Sequence, residues 1–171
     1  MRVVLNIAAF YAGWFGSVLA AANGWRWAAI VAGLAVVVVH LIIDERPQTE
    51  LKLIAAAGLV GLLAEGLLMK LGFATYALPE ANPAVPPVWL LALWMAFATT
   101  MNVSLGWLKD RLGLAAILGL AAAPPSYFAG EKLGGMQLAE PQLLSLAAIG
   151  LVWAVSFPLL VALARRWDGD R

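Results

Sequence analysis

The sequence predicts an all-α membrane protein: six transmembrane helices arranged as three helical hairpins, with both termini cytoplasmic. Three observations carry this. Six apolar stretches take up most of the 171 residues, and a hydrocarbon core about 30 Å thick needs roughly 20 apolar residues of helix to cross it. Only 12% of the residues are charged and 63% are hydrophobic, whereas a soluble domain carries about 25% charge. Lysine and arginine are also divided unevenly between the loops. The connections are too short to bury a core of their own, so residues 1–171 read as a single transmembrane helical domain.

The first helix is expected at about 3–21. Met1-Arg2, an apolar run and Ala20-Ala21-Ala22 resemble a cleavable leader. Asn6 interrupts that run and one arginine precedes it, so an uncleaved span is the expectation. Ala9, Gly13 and Ser17 share a face suited to close helix packing. Helix two, at 27–43, ends in Asp44-Glu45-Arg46-Pro47. Helix three, at 51–71, carries Gly58 and Gly61 just before Glu65. The connection at 72–87 has four prolines and no helical pattern. Its Pro86-Pro87 suits the first turn of helix four, where a missing N–H is harmless. Helix four is expected at 88–108 and helix five at 113–129, disturbed by Pro124-Pro125. Helix six, at 142–164, contains Pro158 in the same way. Short loops force antiparallel neighbours, hence the hairpins.

The eleven lysines and arginines divide eight to three. Arg2, Arg46, Lys52, Lys109, Arg111, Arg165, Arg166 and Arg171 fall on the side of the termini, and Arg26, Lys70 and Lys132 on the other. The positive-inside rule then places both termini in the cytoplasm. Trp25, Trp27 and Trp89 are expected at the outer interface, with Trp107 and Trp167 at the inner one, as an aromatic belt.

A weak internal echo runs through the second half. Lys70-Leu71-Gly72 with Pro79 recurs 62 positions later as Lys132-Leu133-Gly134 with Pro141. On that offset helix three maps onto helix five, helix four onto helix six, and Glu65 onto Tyr127. A duplicated hairpin explains it, as in transporters built from parallel repeats.

Composition excludes several functions. A net charge of +1 without a basic stripe leaves no nucleic-acid footprint. The absence of cysteine removes disulfide, thiolate and Cys–metal chemistry. A single histidine, His40, argues against a His-rich metal centre, so no metal or other cofactor is expected.

Inside lipid an ionisable side chain is a functional candidate. Glu65 lies about five residues, roughly 8 Å at the helical rise, from the outer end of helix three. Ser126 and Tyr127 are its expected neighbours, and it is read either as a headgroup-binding or proton-handling carboxyl or as a packing group held by an interhelical hydrogen bond or a bridge to Lys70. At the inner end, His40 and Asp44 stand one turn apart, so Asp44 can accept from the imidazole as an acid–base pair. Asn6, Thr99, Asn102 and Ser156 share this depth, and Asn102 is expected to bond across to Asn6. Trp14, Trp94 and Trp153 are deeper than belt tryptophans and together could line an apolar cavity. The catalytic candidates are thus Glu65, Tyr127, His40 and Asp44; the ligand-binding candidates are Glu65, Tyr127, Ser126, Trp94, Trp14, Asn102 and Asn6.

Asn6 with Phe10 and Gly13-Trp14, then Pro86-Pro87-x-Trp89, then Leu93-Trp94-x-x-Phe97-Ala98-Thr99-Thr100-x-Asn102-x-Ser104-Leu105, resemble a domain-of-unknown-function family of small bacterial inner-membrane proteins. The resemblance implies a multi-pass protein of the bacterial inner membrane. Members of the family are similar in lying beside genes for fatty-acid modification, which leans the expectation towards lipids and assigns no residue a role. The leading expectation is binding or processing of a lipid or other apolar molecule within the bilayer. A small proton-coupled transporter or channel, using Glu65 and His40 as relay groups, and a non-catalytic membrane scaffold are the alternatives. Membrane lipid is the expected partner, with other membrane proteins or a second copy of the chain as further options.

Overall fold

Backbone groups in an apolar solvent must find partners within their own segment, and long runs of Ala, Leu and Val do so as helix. The structure, a computed structural model, describes residues 1–168. It holds six α-helices: α1 (Arg2–Ala22), α2 (Arg26–Ile43), α3 (Pro47–Lys70), α4 (Val88–Ala98), α5 (Leu112–Lys132) and α6 (Gln142–Asp168). All except α4 are long and apolar enough to cross a membrane. The pairs α1–α2 and α5–α6 pack closely, and α4 lies among α1, α2 and α3. Arg2 meets Asp44 at 2.6 Å and Arg165 approaches Asp110 at 3.5 Å, so the start of α1, the two short loops and the end of α6 share one end of the bundle, the terminal end. Arg171 lies outside the described residues.

Helix four is half the length expected. It stops at Ala98 instead of 108 because its next residues compete for their own carbonyls. Thr99 and Thr100 donate their hydroxyls to the carbonyls of Ala96 and Phe97 at 2.7 and 2.6 Å. The backbone N–H groups of Thr99, Thr100 and Met101 reach only three residues back, and the chain continues as turns to a 3₁₀-helix at Gly106–Leu108. Asn6 secures this stretch, donating to the Thr99 carbonyl at 3.1 Å and accepting from the Ser104 hydroxyl at 2.7 Å. Irregular backbone at membrane depth persists where protein surrounds it, and Thr99 through Asn102 are buried.

The prolines free carbonyls, as expected, without ending their helices. Helix α5 runs unbroken through Pro124 and Pro125, and α6 through Pro158. The N–H missing at Pro124 leaves the Leu120 carbonyl without its helical donor. Gly150 of α6 passes so close that an added Cβ would lie 2.9 Å from that oxygen. A Cβ at Gly119 would lie 2.4 Å from the Trp153 carbonyl, so two glycines bring α5 and α6 backbone to backbone. On α1, Gly13 and Ser17 are buried as expected, while Ala9 is exposed.

The connection that has no helical pattern contains a strand. Residues Ala74–Tyr76 (β1) pair antiparallel with Met136–Leu138 (β2), with Thr75 opposite Gln137. The 62-residue echo becomes geometry at this end, the strand end. Gly72 and Gly134, at φ of 76° and 85°, terminate α3 and α5 in the same way. Phe73 N–H returns to the Leu68 carbonyl, and Gly135 N–H to that of Gly130, both at 2.9 Å, the signature of a Schellman cap. Ala77 donates to Gly135 and Ala139 to Phe73, which are again equivalent positions. The two units are related by a pseudo-two-fold axis between Thr75 and Gln137. Trp25, Trp27 and Trp107 are exposed as a belt requires. Trp89 is not: it is buried, donating its indole N–H to the Ala77 carbonyl at 2.8 Å.

Candidate functional site

Gly58, Gly61 and Glu65 recur at helical spacing on the face of α3 that meets α4. A Cβ at Gly61 would fall 2.4 Å from the Trp94 ring, so the absence of a side chain there lets Trp94 lie flat on α3. From that position the indole reaches one turn along the helix and donates to Glu65 Oε1 at 2.8 Å. The Tyr127 hydroxyl donates to the same oxygen and the Tyr76 hydroxyl to Oε2. Tyr127 in turn accepts from the Trp153 indole N–H at 3.0 Å. Glu65 is fully buried, and its partners are three neutral donors. Lys70 is exposed at the end of the helix and is not one of them. Burial, and then the carboxylate beside it, raise the Tyr76 phenol well above the ordinary tyrosine range, so Tyr76 stays a donor.

Behind this cluster lies a groove. Helices α1 and α5 do not pack along their lengths, and between them runs a cavity of about 790 Å³. Trp94 and Trp153, stacked at 4.4 Å, form its floor with Phe97, whose ring stands edge-on to Trp153 at 5.2 Å. Tyr11 and Trp14 of α1 and Ala122 and Ser126 of α5 form its sides. Tyr11 and Ala122 are exposed, so the groove opens sideways. It extends from Met136 at the strand end to Trp107 at the terminal end.

Of the expected ligand-binding residues, Trp14, Trp94, Ser126 and Tyr127 thus line one space. Glu65 does not line it and reaches it only through Trp94 and Tyr127. Ser126 is exposed and makes no bond to Glu65, because Tyr127 and not Ser126 falls on the inward face of α5.

The inner polar layer is also rearranged. His40 Nε2 lies 2.9 Å from Glu50 Oε2, not against Asp44. Asp44 instead holds Arg2 at 2.6 Å and accepts the Arg46 backbone N–H at 2.9 Å. Asn102 donates to Glu50 Oε1 at 2.7 Å rather than to Asn6, since its continuation past α4 is not helical. Asn6 binds Thr99 and Ser104 and takes no part in the groove. Sequence reasoning missed Glu50 and Tyr76. Pro47, a residue favoured at the first helical position, signals a helix start that draws Glu50 into α3. Tyr76 carried no signal, since its role depends on a strand that forms only by pairing.

A family model for a protein of unknown function (DUF2878) matches residues 3–159. The chain belongs to this DUF2878 family. No curated protein and no solved structure matches it. Membership of DUF2878 agrees with the uncharacterised family that the α1 and α4 motifs resemble, and it assigns no reaction. Trp14, Trp94 and Asn102, which carried that resemblance, fall in the groove and in the inner polar layer respectively.

Proposed function

We propose that this protein binds a lipid acyl chain or another apolar molecule from within the bilayer of a bacterial inner membrane. The observation that carries the reading is the groove between α1 and α5. Its volume, about 790 Å³, falls in the range of about 300–1,000 Å³ of small-molecule sites, its lining is aromatic and aliphatic, and its side opens where lipid would lie. Glu65 acts here as a positioning residue, holding Trp94 and Tyr127 so that the wall is formed before a ligand enters. Preformed walls favour binding because little side-chain freedom is lost.

Transport would need a polar path between the Glu65 cluster and the His40 layer. Glu50 and Glu65, fifteen residues apart on α3, stand about 22 Å apart along the axis. Between them Met95 and Trp94 press against Gly58 and Gly61, so the seam lends transport no support.

Mass spectrometry of molecules that co-purify in mild detergent tests the proposal, wild type beside Ala122→Trp. A selectively enriched apolar species that disappears when the exposed Ala122 is enlarged is the expected result. Only bulk lipid, the same in both proteins, would overturn it.

A further inference from the structure

We propose a divalent metal site at the terminal end, built by His40, Asp44 and Glu50 and separate from the groove. The spacing His-x₃-Asp-x₅-Glu is local, and the fold explains how it converges. His40 sits in the last turn of α2, Asp44 caps that helix, and Pro47 starts α3 three residues later. The tight reversal carries Glu50 back against His40. All three are buried, Glu50 completely.

Their ligand atoms lie within 4.8 Å of one another, and the His40–Glu50 pair is at 2.9 Å. Tetrahedral donors around a zinc-sized ion, each at about 2.1 Å, stand about 3.4 Å apart. To close on an ion, His40 and Glu50 must part by about half an ångström while the widest pair draws in, movements that side-chain rotation supplies.

The carboxylates are also held from outside the trio, as metal ligands are. Asn102 fixes Glu50 Oε1 at 2.7 Å, and the Arg46 backbone N–H fixes Asp44 Oδ1 at 2.9 Å. Arg2 holds Asp44 Oδ2, but its side chain is half exposed and free to swing towards solvent when an ion arrives. Two buried carboxylates beside an imidazole require positive charge. Arg2 pairs with Asp44, and a divalent ion would add its charge beside both carboxylates. The rival arrangement is an imidazolium paired with Glu50 and no ion at all. One imidazole nitrogen with carboxylate oxygens and no sulfur suits Zn²⁺ or Mn²⁺ rather than a soft cuprous ion.

The full chain, purified in detergent without a histidine tag and stripped by chelator, is titrated with Zn²⁺ and with Mn²⁺ by calorimetry. Saturable binding of one ion per chain is expected, lost in His40→Gln and Asp44→Asn and weakened about 10- to 100-fold in Asn102→Ala. Co²⁺ absorption in the tetrahedral or octahedral range reports the ligand field directly. Gel filtration confirms that each variant folds, and Ala122→Trp, remote from the site, should bind normally. A folded wild type that binds neither Zn²⁺ nor Mn²⁺ saturably, or binding that survives His40→Gln, overturns the proposal in favour of the ion pair.

Discussion

A carboxyl buried in an apolar bundle needs partners, and Glu65 has found three donors and no cation. Each side chain in this set supports another: Trp153 donates to Tyr127, Tyr127 to Glu65, and Tyr76 closes the remaining carboxyl oxygen. Hydrogen bonds between membrane helices contribute about 0.6 kcal/mol on average and up to about 1.7. Tyr76→Phe should therefore lower stability by about that amount in detergent thermal unfolding. Tyr127→Phe should cost more, because it also leaves the Trp153 indole N–H without an acceptor. Equal losses in the two variants would mean that the Trp153 bond contributes nothing. Glu65→Gln keeps a carbonyl acceptor but turns an amide N–H towards a phenol donor, so it should loosen Trp94 and Tyr127 and weaken co-purification of the apolar ligand. An unchanged ligand profile would remove Glu65 from the binding reading.

Elements here owe their contacts to glycines that leave room for a neighbour. Gly119→Ala would place a Cβ 2.4 Å from the Trp153 carbonyl, and backbone cannot yield as a flexible side chain can. A loss of about 1–3 kcal/mol is expected from such overpacking. Gly113→Ala on the same helix meets nothing within 4 Å and should be neutral or mildly stabilising, as alanine is the better helix former. Thermal unfolding of the pair separates packing from propensity. At the helix ends, Gly72→Ala and Gly134→Ala impose a left-handed backbone on an L residue, at about 1–2 kcal/mol each. Gly134 should suffer more, because its new Cβ would also meet Ala22 at 3.3 Å. Helix ends are where the sequence was least legible. Apolar composition says that a segment is helical but not where hydroxyls will outcompete the helix, and Thr99 and Thr100 ended α4 ten residues early. The same limit hid Glu50, which counted as loop until Pro47 was seen to open α3.

Over the whole molecule, the pseudo-two-fold relation joins the α3 and α5 units through one strand pair and one hydrogen bond, Glu65 to Tyr127. Thr75 and Gln137 face each other and are both exposed. Opposed residues of an antiparallel pair have Cα atoms about 4.5–5.5 Å apart, within the disulfide range. In a chain without cysteine, Thr75→Cys with Gln137→Cys should cross-link under mild oxidation and shift mobility on a non-reducing gel. Thr75→Cys with Met136→Cys should do so poorly, and the reverse order would overturn the register. By itself, the sequence determined what local chemistry can determine: six apolar helical segments, a membrane-like composition, a carboxyl, Glu65, within an apolar span, and an echo that maps it onto Tyr127. Hydropathy and helical periodicity are properties of neighbouring residues, so a chain read in order displays them. Which partners the polar groups take depended on tertiary structure, since Tyr76, Glu50 and Trp153 meet their partners only after distant segments converge. The groove likewise exists because α1 and α5 fail to touch, and a gap between two helices is written in neither of them alone.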